Sequence, residues 1–255
     1  MPTTLLFFDL DATLVENQFS RQAIVPLLQE IAEASDLTIE QLGRAMGDEN
    51  WRRQQETPND KLTMDWQDIV DFLANKHGVT LSERVDERWQ AVASADGVDV
   101  LDNAPDVLHA LKAPHRNIIL STKGLRKYQM PVLEVTGLKA HFDDILTPDI
   151  TGYLKTKPAY FAKYNDTDAL KIQIGDHYYD DIICAREKGY QCILRAPIDA
   201  LREIDPFERP QQLVHHREQI KTYPRTGTEI VPDAVVVSLE ELPPIIEKME
   251  AQSTG

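Results

Sequence analysis

The sequence predicts a doubly wound, Rossmann-like α/β fold: a parallel sheet with helices on both faces and an all-helical segment inserted after the first strand. Three observations carry that expectation. Short continuous apolar runs such as Leu5-Leu6-Phe7-Phe8 and Ile118-Ile119-Leu120 end in acids or hydroxyls, as strands buried on both faces of a sheet do. From about residue 103 onward such runs alternate with stretches of helical periodicity, and that alternation implies right-handed crossovers and parallel strands. Between residues 18 and 92 the apolar positions keep helical spacing instead.

Taken in order, the first run makes a strand that delivers Asp9 to its carboxyl end. The next stretch fits four helices, with Ile24, Leu27, Leu28 and Ile31 on one face and Ile69, Val70, Leu73 and Ala74 on another. Ser20, Thr38 ahead of Glu40 and Gln41, and Ser82 ahead of Glu83 read as helix-start signals. After Asp102-Asn103-Ala104-Pro105 a helix to about Leu111 leads into a strand over residues 117–122. Further strands are expected at 144–147, 171–174, 191–194 and 234–237, with helices near 159–164 and up to Gly189. This divides the chain into a core of residues 1–16 and 100–255 and a helical insert of residues 17–99, hinged near 16–19 and 95–103. Residues 197–232 form a longer connection than the topology needs, and a surface helix and loop is expected there.

At 255 residues the chain can hold one large α/β domain, or an ordinary core with a smaller insert. Its formal charge of −15 repels nucleic acid and anionic lipid, so a small molecule is the expected partner. Cys184 and Cys192 both fall in apolar patterns and read as buried thiols rather than a disulfide. The apolar start is too short for a signal peptide, and no run approaches the roughly 18 apolar residues of a membrane span. A cytoplasmic location is expected.

Four strand ends each deliver polar groups to one rim of the sheet: Asp9-Leu10-Asp11-Ala12-Thr13, Ser121-Thr122-Lys123-Gly124, Lys155 and Lys157 ahead of Pro158, and Gly175-Asp176-His177-Tyr178-Tyr179-Asp180-Asp181. Acids crowded in this way repel one another and call for a cation, and hard oxygen donors suit Mg²⁺. In these motifs and in their order the chain resembles the haloacid dehalogenase (HAD) superfamily, in its phosphatase-like branch with an inserted helical cap, over nearly its whole length. Ala12 stands where that family usually has glycine.

The resemblance implies that Asp9 attacks phosphorus to form an aspartyl-phosphate, and that Asp11 protonates the leaving oxygen and later activates water. It implies phosphate contacts from Thr13 and from Ser121, with Thr122 in its place if the register shifts by one. Lys157, or Lys155 two residues earlier, would neutralise charge on the nucleophile and the phosphoryl group. Asp176 would bind Mg²⁺ directly, with the Asp9 carboxylate, the Asp11 main-chain carbonyl and either Asp181 or Asp180. Because the family's dehalogenases and phosphonate-cleaving members generally lack an acid at the position of Asp11, phosphate monoester hydrolysis is the expected activity. A phosphomutase, or a catalytically silent binding module on the same fold, is the alternative. The histidines His177, His215 and His216 lack the companions of a transition-metal site. Trp51-Arg52-Arg53 reads as a helix surface with a packed tryptophan.

Overall fold

The computed structural model describes residues 3–56, 63–93 and 97–253. Six parallel strands form the core sheet, in the order β5-β4-β1-β6-β7-β8. They are β1 (Thr4–Phe8), β4 (Arg116–Ser121), β5 (Asp144–Leu146), β6 (Leu170–Gly175), β7 (Gln191–Arg195) and β8 (Ala234–Val236). The chain builds outward from β1 through β4 and β5, then returns to the other side of β1 for β6. That reversal opens a crevice beyond the carboxyl ends of β1, β4 and β6, where such sheets bind ligands.

The apolar runs behave as strands buried on both faces should. Leu6 and Phe8 enter one core cluster, together with Ile118, Leu120, Ile172 and Ile174. Leu5 and Phe7 enter a second cluster on the opposite face, where Phe7 meets Phe161, Tyr164 and Tyr190 at centroid distances of 5.3, 5.5 and 5.5 Å. The first cluster continues into the insert through Leu27, Ile31, Val70, Leu73 and Trp89. Both cysteines are free and buried. Among the described residues no helix is long and apolar enough to cross a membrane.

Among the described residues the insert contains a π-helical turn Ser20–Ile24 running into the helix Val25–Glu33, then the helices Ile39–Glu56, Trp66–Lys76 and Val85–Ala93. The Thr38 signal forms a reciprocal capping box, in which Gln41 N donates to Thr38 Oγ1 at 3.2 Å and Thr38 N donates to Gln41 Oε1 at 2.8 Å. The Ser82 signal does not: its helix begins only at Val85, and the Ser82 amide and hydroxyl donate to Glu30 instead. Trp51 is exposed rather than packed. Its neighbour Arg53 turns inward to Glu49 and Asp68. At the two crossings between insert and sheet, β2 (Val15–Asn17) pairs antiparallel with β3 (Val98–Val100), a ribbon too short to show alternation in sequence. Residues 95 and 96, the start of the second expected hinge, lie outside the described residues.

Residues 197–232 form no surface helix. Short 3₁₀ turns at Asp199–Leu201, Arg209–His215 and Arg217–Gln219 pack against the sheet edge around one inserted side chain, Arg209, which is 1% exposed. Its guanidinium donates to the carbonyls of Leu201, Ile204, Val235 and Arg202 and grips Glu241 with bonds of 2.7 and 2.8 Å. Replacing it with Met strands those acceptors, and such losses cost on the order of 3 kcal/mol. The expected result for Arg209→Met is a fall in the urea midpoint with an unchanged m-value. Glu241 is partly buried, which alone would raise its pKa, but the hydrogen bond and charge of Arg209 together with the amides of Val237 and Ser238 outweigh this and hold it below the usual carboxylate range. A depressed folded pKa gives stability that is present above the unfolded pKa and lost as pH falls through the folded value. The gap between wild type and Arg209→Met should therefore be full at neutral pH and narrow below about pH 4.

Candidate active site

Asp9 leaves the carboxyl end of β1 with its amide donating to Ile174 O at 2.9 Å, so its position is fixed by the neighbouring strand β6. The next turn is tight: Ala12 N donates to Val15 O at 2.7 Å. Ala12 sits at φ 58°, a left-handed conformation that strains any residue with a Cβ and explains why glycine suits the position. The turn places Asp9, Asp11 and Ala12 on the wall of a cavity of about 400 Å³ between the sheet and the insert.

The opposite side of the cavity comes from β6 and the turn after it. Asp181 is fully buried and is held by Gln173 Nε2 at 3.0 Å and by the amide of His177 at 3.0 Å. Any Cβ at Gly175 would collide with the Asp181 carboxylate, so glycine at the end of β6 is what lets this acid fold back over the strand. Carboxylate oxygens of Asp9, Asp176 and Asp181 all lie within 4.8 Å of one another. Asp180 points elsewhere, to Lys123 Nζ at 3.0 Å and His177 Nδ1 at 3.1 Å. Among the described residues no other group of histidines, cysteines or acids is arranged to hold a metal.

The lysine in this cluster is Lys155 and not Lys157. Lys155 is 2% exposed and donates to Asp9 Oδ1 at 2.6 Å, to Ser121 O at 3.1 Å and to Asp181 Oδ1 at 2.7 Å, which uses all three ammonium protons. Lys157 is exposed, because it occupies the residue before the 3₁₀ turn Pro158–Phe161 while Leu154 and Lys155 turn inward. Two further expectations change in the same way. Ser121 is fully buried and donates to Phe8 O and Gln173 Oε1, leaving Thr122 as the hydroxyl that lines the cavity. Thr13 is fully buried, does not line the cavity, and its hydroxyl has no hydrogen-bond partner among the described residues.

Burial and crowding set the electrostatics. Burial, with Asp9 adding repulsion, pushes the Asp11 carboxyl up to about 7, against a hydrogen bond from Gln129 that favours the anion. Burial likewise raises Asp181 to about 7, and it raises Asp9 despite the Lys155 ammonium beside it. For Lys155 burial works the other way, but Asp181 and Asp9 outweigh it and hold the lysine protonated. Three carboxylates kept near one another at this cost are a donor set suited to a hard divalent cation, and the residues present fit Mg²⁺.

Several residues of the site carry no signal in the sequence. Gln129, on the helix Arg126–Val135, donates to Asp11 Oδ2 at 3.0 Å, and Asn17 donates to the other oxygen. Gln129 reaches Asp11 only because Gly124 has no Cβ to block its amide. Lys221, from the segment 197–232, pairs with Asp176 Oδ2 at 2.7 Å. Phe19, Met64, Trp66 and Trp89 add an apolar wall from the insert.

A doubly wound sheet whose strand ends gather carboxylates and a buried lysine around a cavity is an enzyme's arrangement, and sequence comparison makes the class specific. The model of the haloacid dehalogenase-like hydrolases matches residues 3–164, more than half of the chain, and the protein belongs to that family of hydrolases. No curated protein matches the chain by sequence. Among solved structures it is similar to a HAD phosphatase from Thermococcus onnurineus, at 17% identity over 95% of this chain and 97% of that one, with a TM-score of 0.66. It is also similar to the magnesium-bound HAD-hydrolase YfnB from Bacillus subtilis, at 20% identity over 96% and 99% with a TM-score of 0.60. A 2-haloacid dehalogenase from Pseudomonas syringae pv. Tomato DC3000 matches at 21% identity over 98% and 100% with a TM-score of 0.63. At these identities the likeness is one of fold, and it spans phosphatases and dehalogenases alike.

Proposed function

We propose that this hydrolase cleaves small phosphate monoesters with Mg²⁺ through an aspartyl-phosphate on Asp9. The observation that carries the reading is Asp11: a second carboxyl in the cavity, aligned by Gln129 and Asn17, with its pKa raised to about 7. Halide leaves carbon without needing a proton, whereas an alkoxide leaving phosphorus needs one. An acid poised near neutrality suits the second task.

In this reading a carboxylate oxygen of Asp9 forms a bond to phosphorus while the bond from phosphorus to the alcohol oxygen breaks, and Asp11 gives its proton to that oxygen. Asp11, now ionised, takes a proton from water as the water attacks phosphorus, the Asp9–phosphorus bond breaks, and phosphate departs. Lys155 holds Asp9 in place and offsets charge on the phosphoryl group throughout. The Thr122 hydroxyl, on the cavity wall, would donate to a phosphoryl oxygen. Asp9, Asp176 and Asp181, with the Asp11 main-chain carbonyl, would hold the metal ion, which supplies Lewis-acid neutralisation of the phosphoryl oxygens when bound. The helices over the cavity act as a cap that excludes bulk water, and the protein works in the cytoplasm.

The test is an assay of p-nitrophenyl phosphate and a panel of sugar, nucleotide and small-acid phosphates beside 2-chloropropanoate, with Mg²⁺ and with EDTA. Phosphate release that falls at least about a hundredfold on chelation, with no chloride released, is the expected result. Chloride release without phosphate release, or turnover indifferent to EDTA, would overturn the reading. Isomerised sugar phosphate without free phosphate would make the enzyme a mutase.

A further inference from the structure

Within the acidic cavity each lysine has a carboxylate of its own. Lys155 serves Asp9 and Asp181, Lys123 serves Asp180, and Lys221 serves Asp176. They differ in exposure: the Lys155 side chain is 2% exposed and that of Lys123 is 29%, while that of Lys221 is 60%. Lys221 also comes from elsewhere. It is carried to the cavity by the 197–232 segment, which nothing in the catalytic reading requires.

That segment is fastened to the acidic turn rather than merely near it. Tyr178 N donates to Lys221 O at 3.0 Å, Tyr179 N donates to Thr222 Oγ1 at 3.1 Å, and the Thr222 hydroxyl lies 3.1 Å from His177 Nδ1. Thr222 is held at φ 57°, which is costly for a β-branched residue and persists only where surrounding contacts impose it. Arg209 locks the base of the same segment to the sheet edge. The outcome of these anchors is an exposed ammonium delivered to a fixed point on the cavity rim.

We propose that Lys221 is a specificity residue that binds a second anionic group on the substrate's alcohol portion, so that the preferred esters are those whose leaving group carries a carboxylate or another phosphate. The proposal rests on the reading of Asp176 as a metal ligand and of the cavity as a phosphate ester site. A divalent cation on Asp176 would compete with Lys221 for the charge of that carboxylate, whereas Lys123 keeps Asp180. The Lys221 ammonium faces a cavity whose other lining groups include Asp11, Glu16 and Asp180. Those acids repel a second anion, and of the three lysines that line the cavity Lys221 is the most exposed.

The experiment reads binding without turnover. Calorimetry with Mg²⁺ compares butylphosphonate, 4-phosphonobutanoate and propane-1,3-bisphosphonate, none of which has an ester bond to cleave. An ammonium–anion contact at an exposed rim falls at the low end for charged hydrogen bonds, so one or both of the ligands with a second anion should bind about tenfold more tightly than butylphosphonate. Whichever does so identifies carboxylate or phosphate as the tail group. Lys221→Met should erase that preference and leave butylphosphonate affinity unchanged, and Lys221→Arg should keep it. The Lys221 side chain is exposed and the anchoring contacts use its carbonyl and Thr222, so both variants should fold. Equal affinities in the wild type, or a Lys221→Met variant that weakens all three ligands alike, would overturn the proposal. Failure to hydrolyse any phosphate ester counts against the catalytic reading instead, and the phosphonate ratio still decides this one.

Discussion

Asp9→Asn should reduce phosphate release at least about a thousandfold while leaving the fold and its thermal stability intact, because the substitution removes the proposed nucleophile and not a structural support. Asparagine keeps the shape of aspartate and can still accept from Lys155. That lysine also retains Asp181 at 2.7 Å and Ser121 O at 3.1 Å. One carboxylate fewer in a crowd whose members are raised by burial and mutual repulsion relieves the folded state rather than weakening it. The loss should therefore fall in kcat. Rapid acid quenching should trap a phosphorylated protein from the wild type during turnover and none from the variant. Near-normal kcat in a folded Asp9→Asn protein would place the nucleophile elsewhere, and a large fall in melting temperature would make the activity loss uninformative about chemistry.

Much of the sheet was legible because its strands are buried on both faces. Leu5 to Phe8 and Ile118 to Leu120 could be read as strands without alternation, and the acids and hydroxyls after them fell at the carboxyl ends, where the crevice lies. The limits appear where one residue of register matters. Ser121 and Thr122 are adjacent, and only the pairing of β4 with β1 and β5 decides that Ser121 turns into the core and Thr122 to the cavity. Lys155 and Lys157 lie in an irregular turn that has no period to read, so a motif that fits either cannot choose between them. Gln129 and Lys221 reach the acids across 118 and 45 residues of chain, and no local pattern encodes such meetings. The same holds for Arg209, whose burial depends on carbonyls before and within β8 and on the Glu241 carboxylate after it. A charged residue in a polar stretch reads as surface until its partners are known.

Lys155→Met carries the largest expected combined effect on stability and turnover. The wild-type ammonium is buried and spends its three protons on Asp9, Asp181 and Ser121 O. Methionine fills much of the same space but leaves Asp9 and Asp181 facing each other without the cation that contacts both. Removing one partner of a buried ion pair costs about 3–5 kcal/mol, and the variant in EDTA should lose that much in urea unfolding. Turnover should fall by about a hundredfold to a thousandfold even with Mg²⁺, since a fixed charge beside the reacting phosphoryl group is gone. The metal response separates the two roles. A divalent cation in the Asp9–Asp176–Asp181 cluster supplies part of the missing positive charge, so Mg²⁺ should raise the melting temperature of Lys155→Met by more than it raises that of the wild type. Lys157→Met is the matched control: exposed and away from the cavity, it should change stability by less than about 0.5 kcal/mol and leave turnover near wild type. If Lys157→Met lost activity while Lys155→Met kept it, the buried lysine would be a structural counterion alone, and the charge that assists transfer would have to come from the surface turn.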